Sequence, residues 1–160
     1  MSQPASQPVS PPTTLDHAGI AARIPHAGRM CLLDRLVHWD AQHIHCTARS
    51  HHDADHPLRT VSGLLVPAGI EYAAQAMALH GSLVAPPDGV PTPGFLASVR
   101  GVQAQVLRLD DVPGELQVHA ERLAGDERQI LYALTLCDAA GRELLCGRAT
   151  VVLNTPLTLS

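Results

Sequence analysis

The sequence predicts an α+β fold in which an antiparallel sheet of about six strands wraps around one long helix. Three observations predict it. The stretch from Gly69 to Gly81 has no proline and carries Ile70, Ala73, Ala74, Met77 and Ala78 at helical spacing. Runs with a period of two, Leu116, Val118, Ala120 and Ile130, Tyr132, Leu134, Leu136, fit half-buried strands. Short segments rich in Asp, Gly and Pro separate these runs, with the composition of tight turns.

Taken in order, residues 1–14 (MSQPASQPVSPPTT) have almost nothing to bury and read as a disordered tail. A single domain is expected over residues 15–156. It opens with a short helix over 15–24, capped by Thr14 or Asp16, with Ile20 and Ile24 turned inward and Pro25 ending it. Two strands follow, over 30–39 and 42–49, joined by a turn at Asp40-Ala41. A loop dense in His, Asp, Pro and Gly fills 50–68 and leads into the helix over 69–81. After a Pro-rich linker at 86–93, four strands are expected over 95–109, 115–123, 129–137 and 142–154. One helix covers only one face of so wide a sheet, so pairing with a second copy edge to edge is a natural completion.

Composition narrows the function. At 160 residues, with 46% apolar and 16% charged side chains, the chain can bury a real core. A formal charge of −4, no long basic run and very few aromatics argue against nucleic acid as a partner. No apolar stretch reaches membrane-spanning length, and the start of the sequence lacks a basic-then-apolar signal pattern, so the cytosol is expected. Cys31, Cys46, Cys137 and Cys146 are scattered, each in an apolar run, and read as small buried hydrophobes. The cluster His51, His52, Asp53, Asp55, His56 contains metal-ligating types, but no regular element would fix its spacing, so no metal is expected.

The candidate chemistry sits at the start of the central helix. Glu71 lies in its first turn, where the helix dipole favours a carboxylate, and Gln75 follows one turn later on the same face. A solvent-facing acid would serve the dipole alone. An acid between Ile70 and Tyr72, opening a helix with few charges, points to chemistry instead.

Ile24-Pro25-His26, then Leu32-Leu33-Asp34-Arg35, then Glu71-x-x-Ala74-Gln75, set in the order strand, strand, buried helix, four strands, resemble the hotdog-fold 3-hydroxyacyl-[acyl-carrier-protein] dehydratases. The likeness spans roughly residues 20–154 and is nearest to the branch associated with aryl-polyene-type gene sets. Two motifs depart from the family pattern. The Gly-His-Phe-Pro loop is replaced by Asp55-His56-Pro57-Leu58, and the Pro-Gly before the helix by Pro67-Ala68-Gly69.

The resemblance implies dehydration of a (3R)-3-hydroxyacyl thioester, carried on acyl carrier protein, to a trans-2-enoyl thioester. That reaction needs a base for the α-proton, an acid for the departing hydroxyl, and donors for the thioester oxygen. It implies Glu71 as the acid, His56 as the base, and backbone N–H groups at the helix start, around Gly69, as donors. His26 is the substitute base, otherwise a structural histidine of the loop. Gln75 orients Glu71 or bonds nearby backbone; Asp34 and Arg35 are read as structural; His51 and His52 as exposed; His80 and His119 as surface or core fillers. No cofactor is implied. A thioesterase with Glu71 activating water, or a non-catalytic partner subunit of a heterodimer, are the competing readings, the latter kept open by the altered loop.

Overall fold

A computed structural model describes residues 10–86 and 94–153. The expected order of elements is present: α1 (His17–Ala21), β1 (Arg35–Trp39), β2 (His43–Ala48), α2 (Gly69–Val84), β3 (Gly94–Ala104), β4 (Leu116–Gly125), β5 (Gln129–Cys137) and β6 (Glu143–Leu153). The six strands form one antiparallel sheet in the order β1-β2-β4-β5-β6-β3, and α2 lies against β2, β4 and β5. Among the described residues no helix is long and apolar enough to cross a membrane.

Alternation builds the sheet's inner face. Leu116, Val118 and Ala120 on β4 and Ile130, Tyr132, Leu134 and Leu136 on β5 are all buried, with Val118 opposite Leu136 and Ala120 opposite Leu134. The face the helix turns to them includes Ala73 and Met77 as expected and otherwise differs from the expected one. Tyr72, Ala73, Ala76, Leu79 and Leu83 are buried, whereas Ile70, Ala74 and Ala78 are only half-buried. A helix apolar on nearly every side gives periodicity little to choose between. It also continues past Gly81 to Val84, because Leu83 still reaches the core. It stops where Ala85, preceding Pro86, takes an extended conformation.

The other boundaries moved for identifiable reasons. Asp16 caps α1 by accepting from the Gly19 N–H at 2.8 Å, but the helix ends at Ala21 and Ile24 docks from the turns that follow. The first strand begins at Arg35 rather than Met30. Residues 28–30 form a 3-10 turn, and the Leu32 backbone beyond it bonds to side chains. Bonding to the neighbouring strand begins only with the Asp34 N–H, which donates to the Thr47 carbonyl. Beyond Ala104 the Gln105 N–H makes a last bond to the Leu144 carbonyl of β6, and residues 107–109 then pair with 64–66, which ends β3. Of the expected tail, residues 1–9 lie outside the described region. Within 10–14 the Pro12 carbonyl accepts from the Trp39 indole at 2.8 Å. The linker over 87–93 and the end of the last expected strand at Asn154 lie outside it too.

The two sheet edges differ. Leu15 exchanges backbone hydrogen bonds with Leu36 and covers part of β1. Among the described residues nothing covers β3, whose Phe95 is 62% exposed and Val102 47%.

Gly69 sets the distance between helix and sheet. A Cβ there would lie 2.8 Å from Leu145 Cδ2 and 2.9 Å from Leu136 Cδ2. Replacing Gly69 by Ala is therefore expected to destabilise the fold by about 1–3 kcal/mol in urea unfolding, the usual cost of overpacking a core. An unchanged midpoint would show that the two leucines yield freely.

Candidate active site

Three of the expected residues meet at the start of α2. The Glu71 carboxylate, in the helix's first turn, lies 3.0 Å from His26 Nε2 (Oε1 to ring nitrogen), and the two side chains are 31% and 24% exposed. Gln75, one turn along, donates from Nε2 to the same Oε1 at 3.3 Å and to the Met30 carbonyl at 2.5 Å. Its Oε1 accepts from the Leu32 N–H at 2.8 Å. The amide of Gln75 thus ties the loop that carries His26 to the helix that carries Glu71.

The proton positions follow from this geometry. A His26 N–H at Nε2 donates to Glu71 Oε1, which leaves the lone pair of the neutral ring on Nδ1. That Nδ1 is buried and has no hydrogen-bond partner. A buried ring nitrogen without a partner is a candidate proton acceptor.

His56 sits elsewhere in the protomer. Its Nε2 is 3.0 Å from the Tyr72 hydroxyl and its Nδ1 accepts from the Leu58 N–H at 3.0 Å. Burial pushes its imidazole below the ordinary value. Gly69 is placed at the helix start as expected, but its N–H already donates within the preceding 3-10 turn, to Val66 and Pro67. The helix-start donor expected there is engaged by the fold, and the residue's visible role is the close packing described above.

Sequence reasoning overlooked Tyr72 and Ser50. Tyr72 is wholly buried, and its hydroxyl lies 2.7 Å from Ser50 Oγ, which donates to the Leu32 carbonyl at 2.8 Å. A polar-tipped aromatic next to Glu71, in a helix of small apolar residues, was the available signal. A cavity of about 480 Å³ adjoins this network, with Ser50, His56, Cys31 and Arg49 in its wall. A second, of about 460 Å³, lies among His38, His43, His45 and His119, and neither Glu71 nor His26 lines either cavity.

The remaining histidines divide by burial. His51, expected to be exposed, is buried. Its Nε2 and that of His52 both donate to the Val112 carbonyl, at 3.0 and 2.7 Å, because the chain after β3 folds over this loop. His52 is exposed as expected. His80 is a core residue, donating from Nε2 to the Asp40 carbonyl and accepting the Tyr132 hydroxyl at Nδ1, each at 2.8 Å. His119 stacks on His45 with ring centroids 4.3 Å apart. Asp34 accepts from the Arg49 N–H, and Arg35 reaches Glu115, both structural contacts. Cys31 and Cys46 are buried, Cys137 and Cys146 half-buried, and all four are free thiols. Burial pushes the Cys46 thiol up to about 12, which makes it inert.

A family model described as ApeP-like, ApeP dehydratase, matches residues 18–158. The chain belongs to this family. Among solved structures, the ApeP-like chain is similar to the dehydratase heterocomplex ApeI:P from Xenorhabdus doucetiae. The two share 22% identity with a TM-score of 0.76, over 86% of this chain and 91% of that one. It is similar also to a mutant form of the thioesterase PA1618 from Pseudomonas aeruginosa, at 14% identity and TM-score 0.57 over 74% and 79% of the chains. The PaaI protein of E. coli matches at 9% identity and TM-score 0.58 over 85% and 88%. At these identities the likenesses establish the architecture, which is the hotdog fold. No curated protein sequence matches.

Two measurements test the site's framework in the ApeP-like chain. Gln75→Leu would strand the Leu32 N–H and Met30 carbonyl, at about 1–3 kcal/mol for each group left unpaired. Thermal unfolding of the variant should show that loss, and an unchanged Tm would mean the clamp is dispensable. The second is pH. Burial pushes His51, His56, His80 and His119 below the ordinary 6.5. The unfolded chain therefore takes up protons at a pH where the folded chain does not. Their contribution to stability is complete above about pH 6.5 and is lost as pH falls through the lower folded values. The Tm should accordingly drop between about pH 7 and pH 5. A flat profile would show that these rings protonate without opening the fold.

Proposed function

We propose that this chain dehydrates (3R)-3-hydroxyacyl thioesters carried on acyl carrier protein to trans-2-enoyl thioesters, in the cytosol. The observation that carries this reading is the 3.0 Å contact between His26 and Glu71 at the start of the central helix. Membership of a dehydratase family supports it.

In this reading His26 is the base and Glu71 the acid. The ring takes the α-proton at Nδ1 while the C3–O bond breaks, and Glu71, protonated at the outset, gives its proton to the departing hydroxyl. Water leaves, and the electron pair of the broken C–H bond becomes the C2–C3 double bond. The imidazolium and carboxylate left behind are reset when the Nδ1 proton passes to water and the carboxylate takes one up, which leaves the Nε2–H contact to Oε1 as it began. Gln75 holds the carboxylate and the histidine loop in register.

A second subunit of the same fold along β3 fits the bare edge and exposed Phe95, and a dehydratase heterocomplex is among the similar structures. That observation favours a working unit of two hotdog chains, identical or distinct. Thioesterases of the same fold among the similar structures favour thioester hydrolysis as the second reading. There Glu71 would activate water instead of protonating a hydroxyl.

Incubation of the purified chain with a 3-hydroxyacyl-carrier-protein thioester separates these readings. Enoyl thioester as product supports dehydration. Free acid with released thiol supports hydrolysis, and turnover only after a partner subunit is added supports a subunit role. Glu71→Gln and His26→Asn are each expected to lower the dehydration rate by about 10²–10⁴-fold, the usual range for a lost acid or base, with the fold retained by circular dichroism. An unchanged rate in either would remove that residue from the mechanism.

A further inference from the structure

One step beyond the acid–base pair is what holds it in place, and the buried polar chain behind Glu71 carries that inference. It runs from the Leu58 N–H to His56 Nδ1 (3.0 Å), from His56 Nε2 to the Tyr72 hydroxyl (3.0 Å), from Tyr72 to Ser50 Oγ (2.7 Å), and from Ser50 to the Leu32 carbonyl (2.8 Å). Each end of this chain has a fixed role. A backbone N–H can only donate and a carbonyl can only accept.

Those ends dictate every proton between them. The Leu32 carbonyl requires the Ser50 O–H as donor, so Ser50 Oγ accepts from the Tyr72 O–H. The Tyr72 oxygen then accepts from a proton on His56 Nε2. At the far end the Leu58 N–H needs the lone pair on His56 Nδ1. One arrangement satisfies all of these groups: a neutral His56 with its proton on Nε2. A protonated ring would set Nδ1–H against the Leu58 N–H, donor against donor.

We propose that Tyr72 is a positioning residue for the His26–Glu71 pair, and that His56 serves it as a fixed-tautomer peg and not as the base. The geometry makes the connection through Leu32. Tyr72 and Gln75 lie three residues apart on the central helix. Gln75 grips the Leu32 N–H and the Met30 carbonyl, while Tyr72, through Ser50, holds the Leu32 carbonyl. The loop bearing His26 is thereby pinned to the helix bearing Glu71 at two points. Burial of both His56 and Tyr72 shields the bond between them from water. Asp34, Asp53 and Arg59 act on it at longer range, without a hydrogen bond to either ring among the described residues. The positioning role rests on the dehydratase reading; the proton order does not.

The test uses the full-length protein labelled with ¹⁵N. Two-bond ¹H–¹⁵N histidine spectra at neutral pH report each ring's tautomer, with the His56 signals assigned by their loss in His56→Asn. The expected result is a single Nε2–H tautomer for His56, converted in Tyr72→Phe to an exchanging mixture. In the same variant kcat with a 3-hydroxyacyl-carrier-protein thioester should fall roughly tenfold to a hundredfold with little change in KM, the cost of a misplaced catalytic group. Ser50→Ala, which breaks the chain at its next link, should lower kcat in the same way. An Nδ1–H or mixed tautomer in the unmutated protein would overturn the proposal even if neither variant folds. So would a Tyr72→Phe protein with unchanged His56 spectrum or unchanged kcat. A chain with the expected tautomer but no turnover of any 3-hydroxyacyl thioester would instead sink the dehydratase reading and leave the proton order standing.

Discussion

A single buried amide, that of Gln75, makes the rest of the site possible. It faces three groups at once: the Leu32 N–H, the Met30 carbonyl and the Glu71 carboxylate. Without those bonds the Leu32 N–H and the Met30 carbonyl would be left unpaired, a cost no compact chain bears easily. The helix therefore does two jobs along one side. It fills the concave face of the sheet with small residues, and it fastens an irregular loop whose histidine has no other reason to stand beside an acid.

The division between what was legible and what was not follows from the range of the forces involved. β5 could be read to the residue because alternation and tight turns at both ends are local properties. The acid at the helix start and its amide one turn later were equally legible, since helical geometry alone puts positions 71 and 75 together. The extended segment before β1 looked like strand because Leu32 and Leu33 read as strand residues in isolation. In the fold both are buried and their backbone bonds go to side chains remote in sequence. His51 looked exposed for the same reason: the loop that covers it comes from 61 positions downstream.

The choice of histidine shows this limit most sharply. In sequence His56 is much nearer to Glu71, and the family pattern carries a loop histidine to that neighbourhood. In space the contact belongs to His26, whose loop is drawn in by the Gln75 clamp. Linear spacing orders residues along a helix or strand, but it says nothing about which of two loops folds over an element's end.

The free edge has its own discipline. β3 is interrupted twice in its pairing with β6, between Leu96 and Ser98 and again between Arg100 and Gln103, and Gly101 takes a left-handed conformation in the second break. Such bulges coil an edge away from the flat geometry that fibrils require. A bare apolar strand is normally an invitation to open-ended stacking. Here the local coiling limits the invitation to a neighbour whose own curvature matches.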